Sequence, residues 1–231
     1  MTEKAVAGFA PSSHAFAFDN DWPDVPVIRI EVKGGIEVPI GDASKGLCGG
    51  MVFAVRDLFR AGLPVPADTV APSSGPLYEY VGRRLVQSFD LPSGPMKYFV
   101  WMAMPDADTN PLGLAVLNRG VGSRTVDQEW PQIRRDLDAG HLSCLALVCT
   151  RSHDPMDLGE THQVLARRYR TAGDDVTIWV YDPNQPGADD VRLEFDTTDP
   201  SSGVKISFAG SSKKVRGIFR VPYHPVRPPA L

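Results

Sequence analysis

In the segment Gly46-Leu47-Cys48-Gly49-Gly50-Met51 a glycine-rich loop turns into a helix, with a thiol at the turn. Met51, Val52, Val55, Leu58 and Phe59 recur at three- and four-residue spacing, and Gly62 with Pro64 stops the pattern. This spacing predicts an amphipathic helix from Cys48 to about Gly62. A thiol at a helix N-terminus meets the positive end of the macrodipole and unpaired N–H groups, which stabilise the thiolate. The neighbouring glycines are expected to leave room for a substrate carbonyl. The plainer alternative is a buried cysteine packed as a small hydrophobe.

Outward from this segment, the stretch up to about Pro26 mixes Ser, Asp, Pro and aromatic residues without periodicity and reads as an irregular lead. Val27 to Val32 alternates apolar and polar residues as a short strand before Gly34-Gly35. Downstream, Leu77, Val81, Leu85 and Phe89 form one stripe of a second helix, while Met96 to Met104 fits either helix or strand. Thr125-Val-Asp-Gln128 has the form of a capping box, opening a helix through Trp130, Ile133 and Leu137 that ends at Gly140. Leu142 to Thr150 reads as a buried strand, followed by a polar loop from Arg151 to Thr161. Strands are expected at His162–Arg170, Val176–Asp182, Val191–Phe195, Val204–Phe208 and Val215–Val221, before a proline-rich tail at residues 224–231. Helices followed by an antiparallel sheet predict an α+β fold, in a single domain over residues 1–231.

The hairpin His162–Asp182 carries a second chemical signal. A turn at Gly173-Asp174 places His162 opposite the region of Pro183, within a residue or two, so that Asp182 and Asn184 both come within reach of the imidazole. His162, Val164 and Ala166 share one face of the first strand; Val176, Ile178, Val180 and Asp182 share one face of the second. That face is apolar until its last members, where it becomes His and Asp. A carboxylate that orients a histidine at the end of a core face is what a thiol nucleophile requires. The alternative is that Asp182-Pro-Asn-Gln-Pro-Gly forms a turn and nothing more, and its composition suits one.

Taken together, Gly46-Leu-Cys48-Gly-Gly-Met, a helix ending at Gly140 before a strand, His162-Gln-Val-Leu-Ala and Val176-Thr-Ile-Trp-Val-Tyr-Asp182-Pro-Asn resemble papain-like cysteine peptidases. The nearest likeness is to the bacterial branch that includes the double-glycine leader peptidases, and it covers roughly residues 45–184. The resemblance implies a papain-like fold: helices, with the nucleophile at a helix start, packed on a C-terminal antiparallel sheet. It implies Cys48 as nucleophile, His162 as general base and then acid, and Asp182 as the group orienting His162, with Asn184 a substitute for Asp182. The implied activity is hydrolysis of a peptide or small acyl or amide substrate through a thioester, with no cofactor. A catalytically weak binding module, or an acyltransferase of the same fold, is the alternative. The family carries a Gln six residues before the nucleophile, where its amide donates to the oxyanion. Asp42 stands there instead, and a carboxylate accepts rather than donates. Asn20, Ser44 and Lys45 are candidates to supply the missing donor.

Composition bounds the remaining classes. The chain has 231 residues, and its 21 Pro and 21 Gly exclude a long-helix or coiled-coil architecture. A net charge of −4 gives no basic footprint, so nucleic acid is not expected as a partner. The longest apolar run, Tyr98 to Met104, falls far short of the ~20 residues that span a bilayer. No apolar run follows Met1, so no secretory signal is expected, and the 3 cysteines do not form a disulfide framework. A cytoplasmic location with reduced thiols is the resulting expectation. Cys144 and Cys149 stand five apart on a predicted strand and face opposite ways, so with His141 and His153 they are not expected to hold a metal. Arg167, Arg168 and Arg170 read as a solvated sheet surface, Trp179 as core, and His14 and His224 as end residues with no identifiable partner.

Overall fold

The computed structural model describes residues 1–22, 28–32, 36–40, 47–89, 94–109, 119–154, 157 and 161–231, with the backbone alone for 28–32, 36–40, 94 and 95. Strand β1 (Thr2–Ala5) and the single turn α1 (Pro11–His14) come first, then the antiparallel pair β2 (Ile28–Val32) and β3 (Ile36–Ile40). Helices α2 (Cys48–Ala61), α3 (Pro76–Ser88) and α4 (Gly94–Ala103) follow, so the Met96–Met104 run is resolved as helix. A further helical stretch runs from α5 (Val121–Arg124) through a π-helical turn at Thr125–Glu129 into α6 (Trp130–Asp138). The rest is a sheet of β4 (Ser143–Val148), β5 (His162–Ala172), β6 (Asp175–Tyr181), β7 (Arg192–Asp196), β8 (Val204–Phe208), β9 (Ser211–Val215) and β10 (Gly217–Arg220). The architecture is α+β with a curled antiparallel sheet.

Strand order in that sheet is β10-β4-β5-β6-β7-β8-β9, with β1 added on β5. The predicted strand Val215–Val221 is therefore two strands. β9 ends the β8 hairpin, whose turn is the positive-φ pair Ala209-Gly210, and β10 leaves to pair with β4 at the other end of the order. Arg216, alone between them, anchors the crossing to the end of α4 and to the residues after β4. Its guanidinium stands 2.6 Å from Asp106 Oδ1 and donates to the carbonyls of Met102, Thr150 and Met104. A buried guanidinium is tolerated because its donors are filled in this way.

Gly62 and Gly140, both at positive φ, end α2 and α6 with paired backbone bonds of the Schellman type. The capping box is not formed. Thr125 lies inside the continuous helix, where its hydroxyl donates to the Ile218 carbonyl at 3.1 Å and accepts from the Ile218 N–H at 3.0 Å. It serves as a side-chain clamp between helix and β10 rather than as a helix start. The N-terminal lead is also ordered: β1 pairs with β5 from Thr2↔Thr171 to Ala5↔Arg168. Beyond it Phe16 and Phe18 stack at 5.0 Å, and Phe18 meets Trp22 edge-on at 5.5 Å. β1 is exposed at every residue, so no alternation marked it. Arg168 lies 4.2 Å above the half-buried Trp179 ring, which makes that ring a cation-capped surface rather than core.

Two contacts fix α2. The carboxylate of Asp57, 1% exposed, lies 2.7 Å from Arg84 Nε on α3 and accepts from Tyr80 Oη, Tyr223 Oη and the Val226 N–H. At the other end, a Cβ on Gly50 would come within 2.2 Å of the Val81 carbonyl, and one on Gly49 within 2.3 Å of Ser88 Oγ and 2.8 Å of Gln163 Nε2. The glycines after Cys48 thus admit α3 and β5; the expectation that they make room for substrate is overturned for these two. Asp57→Ala should cost about 3–5 kcal/mol, because Arg84 is left buried and unpaired. Gly50→Ala should cost about 1–3 kcal/mol through overpacking, and more if α3 cannot shift. Urea unfolding midpoints measure both.

Candidate active site

Three elements converge on one place. Cys48 is the first residue of α2, half-buried, with no side chain among the described residues capping that first turn. His162 opens β5, and Asp182 follows the last residue of β6. The hairpin turns at Gly173-Asp174, and its register shifts by one residue between Ala166 and Arg168. Ala166 consequently faces Val180, and His162 and Asp182 fall on a common face despite the eleven-residue strand.

His162 Nε2 and Asp182 Oδ1 are 2.6 Å apart, with side-chain exposures of 15% and 5%. The same Asp182 oxygen accepts the Asn184 N–H at 2.9 Å. The choice between Asp182 and Asn184 is thereby settled in geometry: the Asn184 residue is exposed, and it contributes its backbone to hold the carboxylate. Burial alone would favour the neutral imidazole. The Asp182 carboxylate and the Cys48 thiol outweigh it and hold the His162 pKa well above its ordinary 6.5. With Nε2 taken by Asp182, Nδ1 is left to the thiol.

Behind Cys48, Gln163 Nε2 donates to Ser88 Oγ at 3.1 Å, and Ser88 Oγ donates to the Leu85 carbonyl at 2.8 Å. Burial pushes the phenols of Tyr98 and Tyr181 upward, and each also feels Cys48, so this dry side of the site stays uncharged. Of the suggested donors, Asn20 is placed at the site: its Oδ1 accepts the Leu47 N–H at 2.6 Å, one residue before Cys48. Asp42, Ser44 and Lys45 lie outside the described residues.

Sequence reasoning missed Cys149. It follows β4 by one residue, on the face of Leu147, which pairs with His162, and its thiol feels His162, Cys48 and Asp182. The β4–β5 register was the signal, and it was hidden by the polar loop between the strands. Cys144 faces away, fully buried, with Arg56 Nη1 at 3.5 Å from its sulfur. His141 and His153 are exposed, and no group of three or more His, Cys, Asp or Glu placed to hold a metal ion is found among the described residues. His14 packs edge-on to Phe59 at 5.5 Å and so has a partner after all, whereas His224 is exposed and takes part through its backbone carbonyl, which accepts from Arg84.

No protein-family model, curated protein or solved structure matches this chain. No helix among the described residues is long and apolar enough to cross a membrane.

Burial raises the pKa of both Cys149 and Cys144. Iodoacetamide at neutral pH should therefore modify Cys48 first, then Cys149, then Cys144, as read by peptide mass spectrometry. Faster labelling of Cys144 would contradict the arrangement. The raised His162 pKa also sets a pH window. Its contribution to stability is complete below about 6.5 and is lost as pH rises through the higher folded-state value. The stability gap between wild type and Asp182→Asn should accordingly narrow from mildly acidic to alkaline pH, as measured by urea midpoints.

Proposed function

We propose that the chain is a papain-like thiol hydrolase, acting on a peptide or another amide or acyl substrate through Cys48, His162 and Asp182. The observation that carries this reading is the 2.6 Å His162–Asp182 contact, made by an imidazole that also acts on a thiol at a helix start. In this mechanism His162 takes the Cys48 proton and the sulfur bonds to the substrate carbonyl carbon. The imidazolium then protonates the leaving amine or alkoxide as its bond to carbon breaks, leaving a thioester. Water, deprotonated by His162, attacks the thioester and releases the Cys48 sulfur. Asp182 orients the ring and balances the imidazolium without taking its proton. An amine in place of water would make the same intermediate a transferred acyl group.

The oxyanion is assigned to the Cys48 N–H together with Asn20. Accepting the Leu47 N–H fixes which end of the Asn20 amide is oxygen, and the Nδ2 donors then stand beside the segment that presents the nucleophile. Asn20 lies between the buried anchors Phe18 and Trp22, so its amide does not need to be ordered during the reaction. This supplies from residue 20 the donor that Asp42 cannot provide from the family's position.

With an activated acyl ester as probe, Cys48→Ala should abolish thioester formation and turnover. If it leaves turnover unchanged, the hydrolase reading is wrong and a binding module takes its place. Asn20→Asp keeps the acceptor for Leu47 and removes the donors, so kcat should fall about 10²–10³-fold with little change in unfolding midpoint. Asp182→Asn removes the charge that raises His162, so the alkaline limb of the pH–rate profile should move to lower pH.

A further inference from the structure

At the C-terminal end of α2, a cavity of about 490 Å³ is lined by Arg56, Phe59 and Arg60 from the helix, His141 and Leu142 from the α6–β4 connection, and Tyr223 from the tail. Cys48 and Arg60 are twelve residues apart on one helix, about 18 Å at 1.5 Å per residue, so this cavity is separate from the thiol site. The lining carries guanidinium and imidazole groups and no carboxylate, in a chain whose net charge is −4.

Arg56 is the distinctive element. Arg84, Arg216 and Arg220 are also drawn inward, and each pairs with a carboxylate: Asp57, Asp106 and Asp136 respectively. Arg56 makes no such pair among the described residues. Its guanidinium carbon lies 3.8 Å from the centre of the Tyr223 ring, and Nη1 reaches the Cys144 sulfur at 3.5 Å. Neither the ring nor the thiol, whose pKa burial raises, supplies a full negative charge. Tyr223 cannot drift away, because its hydroxyl donates to Asp57 at 2.5 Å. A half-buried cation is thus held against Tyr223, without a counter-ion among the described residues, at the wall of a cavity that also has an apolar side in Phe59 and Leu142.

We infer that this cavity binds a small organic oxyanion, a phosphate monoester or carboxylate with a planar apolar body. Arg56 and Arg60 grip the anionic head with charge-assisted bonds, and Phe59 and Leu142 cover the body. The volume lies in the range of small-ligand sites, about 300–1,000 Å³, and exceeds what a bare inorganic anion fills.

The test is isothermal titration of the full chain with phenyl phosphate, benzoate, inorganic phosphate and phenol, before and after alkylation of Cys48. Phenyl phosphate or benzoate should saturate one site at or below roughly 1 mM. The tighter of the two identifies the head group, and inorganic phosphate and phenol should both bind more weakly than it. Binding should survive alkylation, which separates this site from the thiol site, whatever becomes of the hydrolase reading. Arg60→Glu lies on an exposed residue and should lower affinity at least about tenfold at an unchanged unfolding midpoint. Arg56→Gln should lower it as well. No saturable heat with either organic anion, loss of binding on alkylation, or full affinity in Arg60→Glu would each overturn the inference.

Discussion

The carboxylate of Asp57 sits in the middle of α2, out of water, and ties that helix to α3 and to the C-terminal tail. An ionised group in such a position is costly unless its lone pairs are filled, and here Arg84, Tyr80, Tyr223 and the Val226 amide fill them. Those partners come from α3 and from the C-terminal tail, so one side chain joins three separate stretches of the chain. The position of α2 matters because its two ends have different tasks. Its first residue is the thiol, and its last turns form the wall of the basic cavity. Desolvation makes the arrangement all-or-none: with any partner withdrawn, the remaining charges are stranded.

The thiol and the imidazole belong to different layers, helix and sheet, and their separation is governed by packing rather than by chain connectivity. Gly49 against Gln163 and Ser88, and Gly50 against the Val81 carbonyl, allow backbones to approach where a methyl group would intervene. The bulge in β5 tunes the other half: it leaves the core-facing alternation intact at both ends of a long strand, so that His162 and Asp182 still meet. Close packing in both layers fixes the positions of the thiol, the imidazole and the carboxylate.

Much of this was legible in residue pattern, and the exceptions have physical causes. The start of α2, the α3 stripe and the β5–β6 hairpin were readable because apolar periodicity and turn glycines are local signals. The approach of His162 to Asp182 or Asn184 was readable from the hairpin turn to within a residue or two, but the bulge that puts His162 and Asp182 on one face was not. Asp57 escaped notice because a polar residue beside an apolar stripe looks solvated until partners far along the chain bury it. Thr125 was misread for a related reason: hydroxyl and backbone satisfy one another either within a helix turn or across to β10, and the sequence motif is the same for both. β1 was invisible because it is held by backbone bonds and buries no side chain, which removes the only signal a lone strand has. Asn20, one of three candidate donors in the sequence, and Cys149 reach the site through tertiary contact, which chain spacing does not rank.

The single-residue link at Arg216 bears on the order in which the molecule can be assembled. β10 pairs with β4 across roughly seventy intervening residues, and the tail beyond it supplies two of the groups on Asp57. Contacts of such long range are closed late, since the chain between them must be ordered first. During synthesis α2 would emerge long before Tyr223 and Val226, with Asp57 open to water and only Arg84 and Tyr80 of its partners close behind. Helix α2 therefore reaches its final environment only after the segment around Tyr223 and Val226 has docked, which ties the shaping of the thiol site to a late contact.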